Sequence, residues 1–419
     1  MDKNSVCKTP PMGWNSWDCL ATTATEAQLL ENAEYMREHM SALGWEYIVC
    51  DAQWYEPFAG TGEDEYRPFA PLEMDGFGRL MPASNRFPSA AGGKGFAEIA
   101  RRIHGMGLKF GLHLMRGIPR QAVYARLPVL GTDLTADQIA NPFSISKWNG
   151  DMYGLNACPG AQAYYDSVFA LFAEWGVDYV KVDDICNTNM YKDNPYSGKA
   201  EIEMIRAAMD GFGRPMVLSL SPGPAVIEES WHLKKHANMW RITDDFWDSW
   251  HLLLDMFRRC DIWQSHVSEG CWPDCDMLPL GHIGMGFGKP RLTNFTPDEQ
   301  RTLMTLWCIF RSPLMMGGYL PDNDAFTLGL LTNAGLLAMH REGRNARQLS
   351  RRDDSAVWRS DAPDGVYIAL FNLSDSPLIM PLPGELSGCA VTDLWTGKPL
   401  TAREITLPPH GSAALHGKK

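Results

Sequence analysis

The most constraining feature of this sequence is an alternation of short apolar runs with amphipathic stretches, from the N-terminus to about residue 320. Runs such as WEYIVCD (45–51) and VDYVKVD (177–183) are rich in β-branched and aromatic residues, as buried strands are. Helical patterns such as TEAQLLENAEYMREHMSAL (25–43) lie between them. Repeated strand-helix units with two-sided apolar strands indicate a parallel sheet, and this many units predict a closed (β/α)8 TIM barrel. An open, doubly wound sheet is the alternative.

A second, smaller domain is indicated at the C-terminal end. From about residue 350 the pattern changes to closely spaced short strands, separated by Asp, Gly, Ser and Pro turns and free of helical stretches. Such a pattern predicts a small antiparallel β-sandwich. We therefore expect an α/β barrel over residues 1–330 and a C-terminal antiparallel β domain over residues 345–419.

Composition and charge narrow the choice of partner. The net charge of −12 disfavours nucleic acid and anionic membranes, because both attract basic surfaces. No run reaches the roughly 18 apolar residues of a membrane span, and the first residues lack the apolar core of an export signal. Ten scattered cysteines are typical of reduced thiols. We expect a cytoplasmic protein with a small, uncharged ligand and neither nucleic acid nor membrane as partner; a homo-oligomer is compatible with that location.

Metal binding is not predicted. The closest cysteine pair, Cys271 and Cys275 in CWPDC, lacks the second cluster that zinc sites usually have. We interpret these residues as buried thiols, and no histidine cluster supports a metal-dependent hydrolase.

Charged residues in the stretch YVKVDD point to chemistry. Side chains alternate along a strand, so Lys181 and Asp183 share one face. In a barrel that face is the interior, and the C-terminal end of the strand opens into the cleft where active sites lie. A buried ion pair between the two is the structural alternative. Asp184 belongs to the following loop, where a helix cap is the simplest role.

Other strand ends add further polar residues. The set comprises one arginine and several aspartates: Asp51, Arg241, Asp244, Asp245, Asp248, Asp274 and Asp276. Asp248 is best placed to cap the following helix. Carboxylates accept and cations donate hydrogen bonds to sugar hydroxyls, while the nearby tryptophans offer faces for stacking. Two carboxylates about 5–5.5 Å apart would support retaining glycoside hydrolysis.

At these residues the chain resembles glycoside hydrolase family 27, the α-galactosidase family. The motifs occur in the expected order as TPPMGWNSWD, YVKVDD, WRITDD, CDMLPLG, RSPLMMGG and DLWTGK. The resemblance implies a barrel followed by an antiparallel β domain. It also implies a retaining exo-glycosidase that removes terminal α-D-galactopyranosyl or β-L-arabinopyranosyl residues from a glycoside or oligosaccharide through a covalent glycosyl-aspartate, with no metal or organic cofactor.

The resemblance assigns roles to particular residues. The aspartate of the K-x-D motif is the nucleophile, here Asp183, and the aspartate four residues after the arginine of the W-R motif is the general acid/base, here Asp245. As an acid, Asp245 would need a raised pKa. The family's sugar contacts map onto Trp17, Asp51, Lys181, Arg241 and Asp276.

Departures from the family pattern bear on specificity. Typical α-galactosidases carry two adjacent aspartates at the end of the second strand, whereas this chain has Asp51 followed by Ala52. β-L-Arabinopyranose lacks the C6 hydroxymethyl of galactose, so an apolar residue at position 52 suits it. DAQWYEP and HLMRGIPRQAV are similar to the branch that includes β-L-arabinopyranosidases. Because alanine is small and leaves room for C6, we expect activity on both sugars.

Two further departures leave alternatives open. His113 replaces a tyrosine that is usual on the third strand, and SLSPGPA (219–225), with Ser221, places small residues beside the sugar's 2-substituent. Room for a 2-acetamido group would make the protein an α-N-acetylgalactosaminidase. A sugar-binding protein on an inactive barrel is the non-enzymatic alternative, although both carboxylates are present. The family's disulfide beside the nucleophile strand has no aligned pair, since Ile185 takes one position and Cys186 lies one residue off.

Overall fold

The N-terminal part of the chain forms a parallel barrel. The computed structural model describes residues 2–60, 66–67, 69–188 and 193–419. Eight parallel strands lie in the order β7-β6-β5-β4-β3-β2-β1-β8, and the two ends meet where Leu278 pairs with Met316. The predicted (β/α)8 barrel is thereby confirmed. The strands are β1 (Met12–Asn15), β2 (Tyr47–Cys50), β3 (Lys109–Met115), β4 (Tyr179–Asp183), β5 (Val217–Leu220), β6 (Met239–Arg241), β7 (Trp272–Asp274) and β8 (Leu314–Met316).

Helices surround the barrel on its outer side. Several begin with strong caps; Thr25 and Thr296, for example, each form a capping box with the residue three positions on. The helices are α1 (Trp17–Leu20), α2 (Glu26–His39), α3 (Ala97–Gly105), α4 (Arg120–Tyr124), α5 (Ala136–Ile139), α6 (Pro159–Trp175), α7 (Lys199–Gly211), α8 (Ser230–His236), α9 (Trp250–Trp263), α10 (Pro297–Phe310), α11 (Ala325–Leu331) and α12 (Ala334–Glu342).

Alternation along the barrel strands separates an inner from an outer core. Tyr47, Val49, Tyr179 and Val217 pack together in the interior. Their neighbours along the strands belong to the larger apolar core that the helices cover. Because Tyr179 points inward, the residues two and four positions on point inward as well. The strand therefore delivers its charged side chains to the barrel axis.

The C-terminal part forms a separate set of antiparallel sheets, as predicted. Six strands lie in the order β9-β10-β11-β16-β13-β14, and two more, β12 and β15, pair with each other. Apolar side chains of both sheets form one cluster, which makes the domain a sandwich. The strands are β9 (Arg344–Arg351), β10 (Ser355–Ala362), β11 (Gly365–Asn372), β12 (Leu378–Pro381), β13 (Ala390–Asp393), β14 (Pro399–Leu400), β15 (Glu404–Leu407) and β16 (Ser412–Lys418).

The two parts of the chain are in direct contact. The Thr302 hydroxyl of α10 donates a hydrogen bond to the carbonyl of His410 (2.6 Å), and the rings of Phe257 and Phe371 meet edge to face at 4.9 Å. All ten cysteines are free thiols. Within the described residues, no helix is both long and apolar enough to cross a membrane.

Candidate active site

Asp183 is the last residue of β4, and its carboxylate is held by side chains from the two neighbouring strands. His113 Nε2 of β3 lies 3.2 Å from Asp183 Oδ2, and the Ser221 hydroxyl just after β5 donates to Asp183 Oδ1 at 2.9 Å. The backbone N–H of Asp184 donates to Oδ1 at 3.1 Å. The Asp183 side chain keeps 13% of its surface exposed, so a carboxylate with three neighbouring hydrogen-bonding groups still reaches the cleft.

These partners determine the charge of Asp183. Burial alone would raise its pKa, but the hydrogen bond with His113, the positive charge of Lys181 and the hydrogen bond from Ser221 together lower it well below the usual range. The carboxylate is therefore ionised throughout the neutral pH range, as attack on a carbon atom requires.

Lys181 forms an ion pair with Asp51 rather than with Asp183. Its Nζ lies 2.8 Å from Asp51 Oδ2, which also accepts from Asn15 Nδ2 at 2.7 Å. Ser16 Oγ in turn accepts from the Asp51 backbone N–H at 2.9 Å. Burial would lower the pKa of Lys181, but the charges of Asp51 and Asp183 raise it overall. The positive charge of Lys181 thus stabilises two ionised carboxylates. It pairs directly with Asp51, just after β2, and acts through its proximity on Asp183 at the end of β4.

Arg241, the last residue of β6, joins two further carboxylates. Its Nη2 lies 3.0 Å from Asp245 Oδ1 and 2.7 Å from Asp276 Oδ2. The backbone N–H of Phe246 also donates to Asp276 Oδ2, at 2.8 Å. The Asp245 side chain is 60% exposed, whereas those of Arg241 and Asp276 are 5% and 6% exposed. Asp245 is thus the member of this cluster that faces solvent.

The cluster around Arg241 contains more carboxylates than cations. Burial, together with the nearby charges of Asp245 and Asp274, raises the pKa of Asp276 to about 7, although Arg241 opposes the shift. Three carboxylates around one guanidinium disfavour full ionisation of the set. The cluster is therefore able to hold a proton near neutral pH.

A single cavity of about 290 Å³ opens at these strand ends. Its volume lies close to the lower end of small-molecule sites, about 300 Å³. The predicted residues that line it are Trp17, Asp51, Lys181, Asp183 and Asp245. Ala52, His113, Ser221, Arg241 and Asp276 are buried at the same strand ends and do not form its lining.

Four further residues line the cavity, and they are Tyr66, Trp148, Pro222 and Asp244. Asp244 belongs to the strand-end carboxylates and Pro222 to the SLSPGPA stretch that the sequence indicates, whereas Tyr66 and Trp148 were not predicted. Tyr66 stacks on Trp17 with ring centroids 5.7 Å apart. Tyr66 and Trp148 lie in long loops after β2 and β3, where no periodicity marks a residue's direction. For Trp148 the sequence offers one general signal, the expectation that tryptophan faces stack on a sugar ring.

Two predicted helix caps are wrong. The residue that precedes α9 is Ser249, whereas Asp248 is buried and accepts from Arg291 Nη2 at 2.8 Å. Asp184 lies far from the start of α7 and has a left-handed backbone with φ of 56°. Its carboxylate pairs with Arg116 Nη2 at 2.8 Å. A cation contributed by another segment of the chain offers each buried carboxylate a full ion pair, which a helix terminus does not.

Comparison with known proteins agrees with this architecture. A family profile described as "Alpha galactosidase A" matches residues 149–342, and one described as "Alpha galactosidase C-terminal beta sandwich domain" matches residues 352–416. Among curated proteins, α-galactosidase from Cyamopsis tetragonoloba is 27% identical over 89% of this chain and 75% of its own length. Human α-galactosidase A is 25% identical over 85% of this chain and 72% of its own length.

Solved structures give higher similarity. A GH27 β-L-arabinopyranosidase from Geobacillus stearothermophilus, of which a variant was solved in complex with arabinose, is 51% identical, with a TM-score of 0.95 over 100% of this chain and 99% of that one. A protein from Bacillus halodurans, named as a candidate α-N-acetylgalactosaminidase, is 49% identical, with a TM-score of 0.87 over 98% and 97% of the two chains. With this similarity over its whole length, the chain belongs to glycoside hydrolase family 27 and is a glycoside hydrolase.

Proposed function

We propose that this protein is a retaining exo-glycosidase that removes terminal β-L-arabinopyranosyl residues and also accepts terminal α-D-galactopyranosyl residues. The observation that carries this proposal is the pair of unlike carboxylates in one cavity. Asp183 is ionised by its hydrogen bonds, and Asp245 lies beside a cluster that can hold a proton. Such a pair can divide the roles of nucleophile and acid between them.

The two carboxylates would act in two steps. In the first, an oxygen of Asp183 forms a bond to the anomeric carbon as the glycosidic bond breaks, and Asp245 gives its proton to the leaving oxygen. In the second, Asp245 takes a proton from water, the water oxygen bonds to the anomeric carbon and Asp183 leaves. The sugar is released with its original anomeric configuration, because each step inverts it once.

Arg241 links Asp245 to Asp276. Its Nη2 contacts both carboxylates, and the pKa of Asp276 is raised to about 7, so a proton can be held near neutral pH on the carboxylate that shares this guanidinium with Asp245. The exposure of Asp245 gives it access to both leaving group and water. Asp276 is buried, accepts from the Phe246 N–H and does not line the cavity, which leaves Asp245 as the carboxylate of this pair that can reach the leaving group.

The end of β2 supports the preference for a sugar without C6. Asp51 already bonds with Asn15, Lys181 and the Ala52 backbone N–H, leaving limited further accepting capacity. Ala52 supplies no second carboxylate and is 1% exposed. A C6 hydroxyl would therefore find no acceptor at position 52, whereas arabinopyranose has no such hydroxyl to satisfy. The β-L-arabinopyranosidase relative supports this choice.

An α-N-acetylgalactosaminidase is the second candidate. Pro222 lines the cavity directly after Ser221, and the relative from Bacillus halodurans carries that name as a candidate function. A larger residue at this point would exclude a 2-acetamido group. The small residues of this loop keep the alternative open to test.

The experiment compares kcat/KM on p-nitrophenyl β-L-arabinopyranoside, α-D-galactopyranoside and α-N-acetylgalactosaminide. It uses the protein and its Ala52→Asp variant, with Ala52→Asn as a control of similar size without the charge. We expect the arabinoside to lead, and Ala52→Asp, but not Ala52→Asn, to shift the ratio towards the galactoside by about tenfold, the value of one good hydrogen bond to a charged group. A lead by the acetamido sugar would replace the proposal with the second candidate, and inactivity on all three would favour a sugar-binding protein.

The domain boundaries, the cellular location and the partners of the protein are also proposals. We propose domains over residues 1–330 and 345–419, supported by the change from parallel to antiparallel strands between β8 and β9. A cytoplasmic location agrees with ten free thiols. We propose that the partner is a small glycoside or oligosaccharide; homo-oligomer formation stays a prediction that size measurement in solution would check.

A further inference from the structure

Two histidines and a glutamate converge on the outer surface of the barrel. They are Glu203 of α7 and His232 and His236 of α8, and their potential ligand atoms all lie within 4.8 Å of one another. None of the three lines the active-site cavity. The sequence HLKKH places the two histidines four residues apart, but the glutamate comes from a different helix, so the sequence pattern alone does not indicate the cluster.

The geometry of α8 orients both imidazoles towards α7. Residues four apart on a helix lie on the same face, and the rings of His232 and His236 are 4.3 Å apart between centroids. His232 Nε2 lies 3.1 Å from Glu203 Oε1. This spacing is close to that of two atoms bound to the same metal ion, since metal–ligand bonds of about 2.0–2.2 Å place neighbouring ligands roughly 3 Å apart.

A supporting contact holds the inner ligand in place. The Tyr196 hydroxyl lies 2.8 Å from His232 Nδ1, and both residues are buried. Coordination through Nε2 would leave Nδ1–H to donate to the phenol oxygen, the arrangement that typically orients a metal-bound imidazole.

The side chains of this cluster differ in their exposure to solvent. The His232 side chain is 1% exposed and that of Glu203 is 53% exposed. An ion could therefore enter from solvent on the glutamate side and reach a ring that is already fixed. Because the ligands come from two helices, a bound ion would link α7 to α8.

We propose that Glu203, His232 and His236 bind one divalent ion of the zinc class. Two imidazole nitrogens and one carboxylate oxygen suit Zn²⁺, with water in the fourth position of a tetrahedral site. The ion stabilises the packing of α7 on α8 and takes no part in glycoside hydrolysis. The inference does not depend on which sugar the active site takes.

The experiment is a calorimetric titration of the full-length, chelator-treated protein with Zn²⁺. The variants are His236→Gln and Glu203→Gln, and His39→Gln serves as a matched control because His39 is a solvent-exposed histidine on α2 outside the cluster. We expect one ion per chain in the wild type and in His39→Gln, with affinity reduced at least about tenfold in the two cluster variants. Added Zn²⁺ should raise the Tm of the wild type and not that of His236→Gln.

Two further measurements separate this site from other sources of binding. Co²⁺ should give visible d–d absorption without a thiolate-to-metal charge-transfer band, because no cysteine is a ligand. The wild-type kcat/KM should be the same with chelator as with Zn²⁺. The proposal fails if the wild type binds no Zn²⁺, if His236→Gln binds as tightly as the control, if a thiolate band appears, or if chelation abolishes glycosidase activity.

Discussion

The two carboxylates of the active site have contrasting surroundings. Asp183 closes a strand, is 13% exposed and is held by His113, Ser221 and a backbone N–H. Asp245 lies in a loop four residues past Arg241, is 60% exposed, and Arg241 is its side-chain ion-pair partner. Two aspartate side chains thus lie in opposite environments within one cavity. The difference teaches that hydrogen bonds and a nearby cation can keep a largely buried carboxylate ionised, although burial alone would raise its pKa.

The contrast also concerns position. A strand end is fixed by pairing with both neighbouring strands, so the Asp183 carboxylate has a defined place at the barrel axis. A nucleophile gains from such pre-organisation. In the proposed mechanism Asp245 serves the leaving group first and water afterwards, and a loop position is compatible with both.

Removal of the nucleophile should give the largest effect. We expect Asp183→Gly to lower kcat/KM at least about 10³-fold, because Asp183 forms the covalent intermediate in the proposed mechanism. Added azide should restore part of the turnover and yield a glycosyl azide of inverted configuration. Near-normal activity in a folded variant would contradict the role assigned to Asp183.

Removal of the acid should give a smaller effect that depends on the leaving group. For Asp245→Ala we expect a loss of about 10²–10⁴-fold with poor leaving groups and much less with p-nitrophenol, which needs little protonation. A series of aryl glycosides of different phenol pKa measures this dependence. Asp244→Ala is the control, since Asp244 is adjacent; an equal, leaving-group-dependent loss there would move the acid role to Asp244.

Loss of a donor to Asp183 should shift the acid limb of the pH profile. Hydrogen bonding lowers the pKa of Asp183, so His113→Phe should raise it, and activity should disappear at a higher pH on acidification. The expected loss of kcat/KM is confined to the acid limb, because the pKa of Asp183 starts well below its usual range. Ser221→Ala should shift the limb in the same direction by a smaller amount. An acid limb that stays in place in both variants would show that other groups determine it.

The alkaline limb should respond to the cluster around Arg241. Burial and the charges of Asp245 and Asp274 raise the pKa of Asp276 to about 7, so Asp276 loses its proton within the neutral range, and Asp276→Asn removes that titration. We therefore expect the part of the alkaline limb of kcat that follows Asp276 to be absent from the variant, a change of a few-fold in rate near neutrality. Measurement of kcat at saturating substrate separates this effect from weaker sugar binding. An alkaline limb that is unchanged in Asp276→Asn would show that Asp276 does not influence it.

The arrangement of residues at the strand ends could be predicted from the sequence. Period-two alternation placed Lys181 and Asp183 on one face, and parallel strands bring their C-terminal ends together, so the position of the site followed from the pattern. Contacts between segments that are distant in the sequence could not be predicted from this pattern. The partner of Lys181 proved to be Asp51, 130 residues away, and that of Asp248 proved to be Arg291, 43 residues away.

Most features of the site that the sequence did not predict lie in loops. Tyr66 and Trp148 line the cavity from long connections in which no repeat indicates the direction of a side chain. The pairing of Asp184 with Arg116 depends on a left-handed backbone at a residue that is not glycine. Local rules favour a helix cap for such an aspartate, and only the folded barrel brings the arginine into place.

The most direct test of the carboxylate roles is to trap the covalent intermediate. A fluorinated arabinopyranosyl fluoride, which slows breakdown of the glycosyl-enzyme, would be incubated with the protein, and the labelled peptide would be sequenced by mass spectrometry. The account predicts one sugar per chain, bound to Asp183, with inactivation that is prevented by excess free sugar. A label on Asp245 or another residue, or steady turnover that releases the inverted sugar without any label, would contradict it.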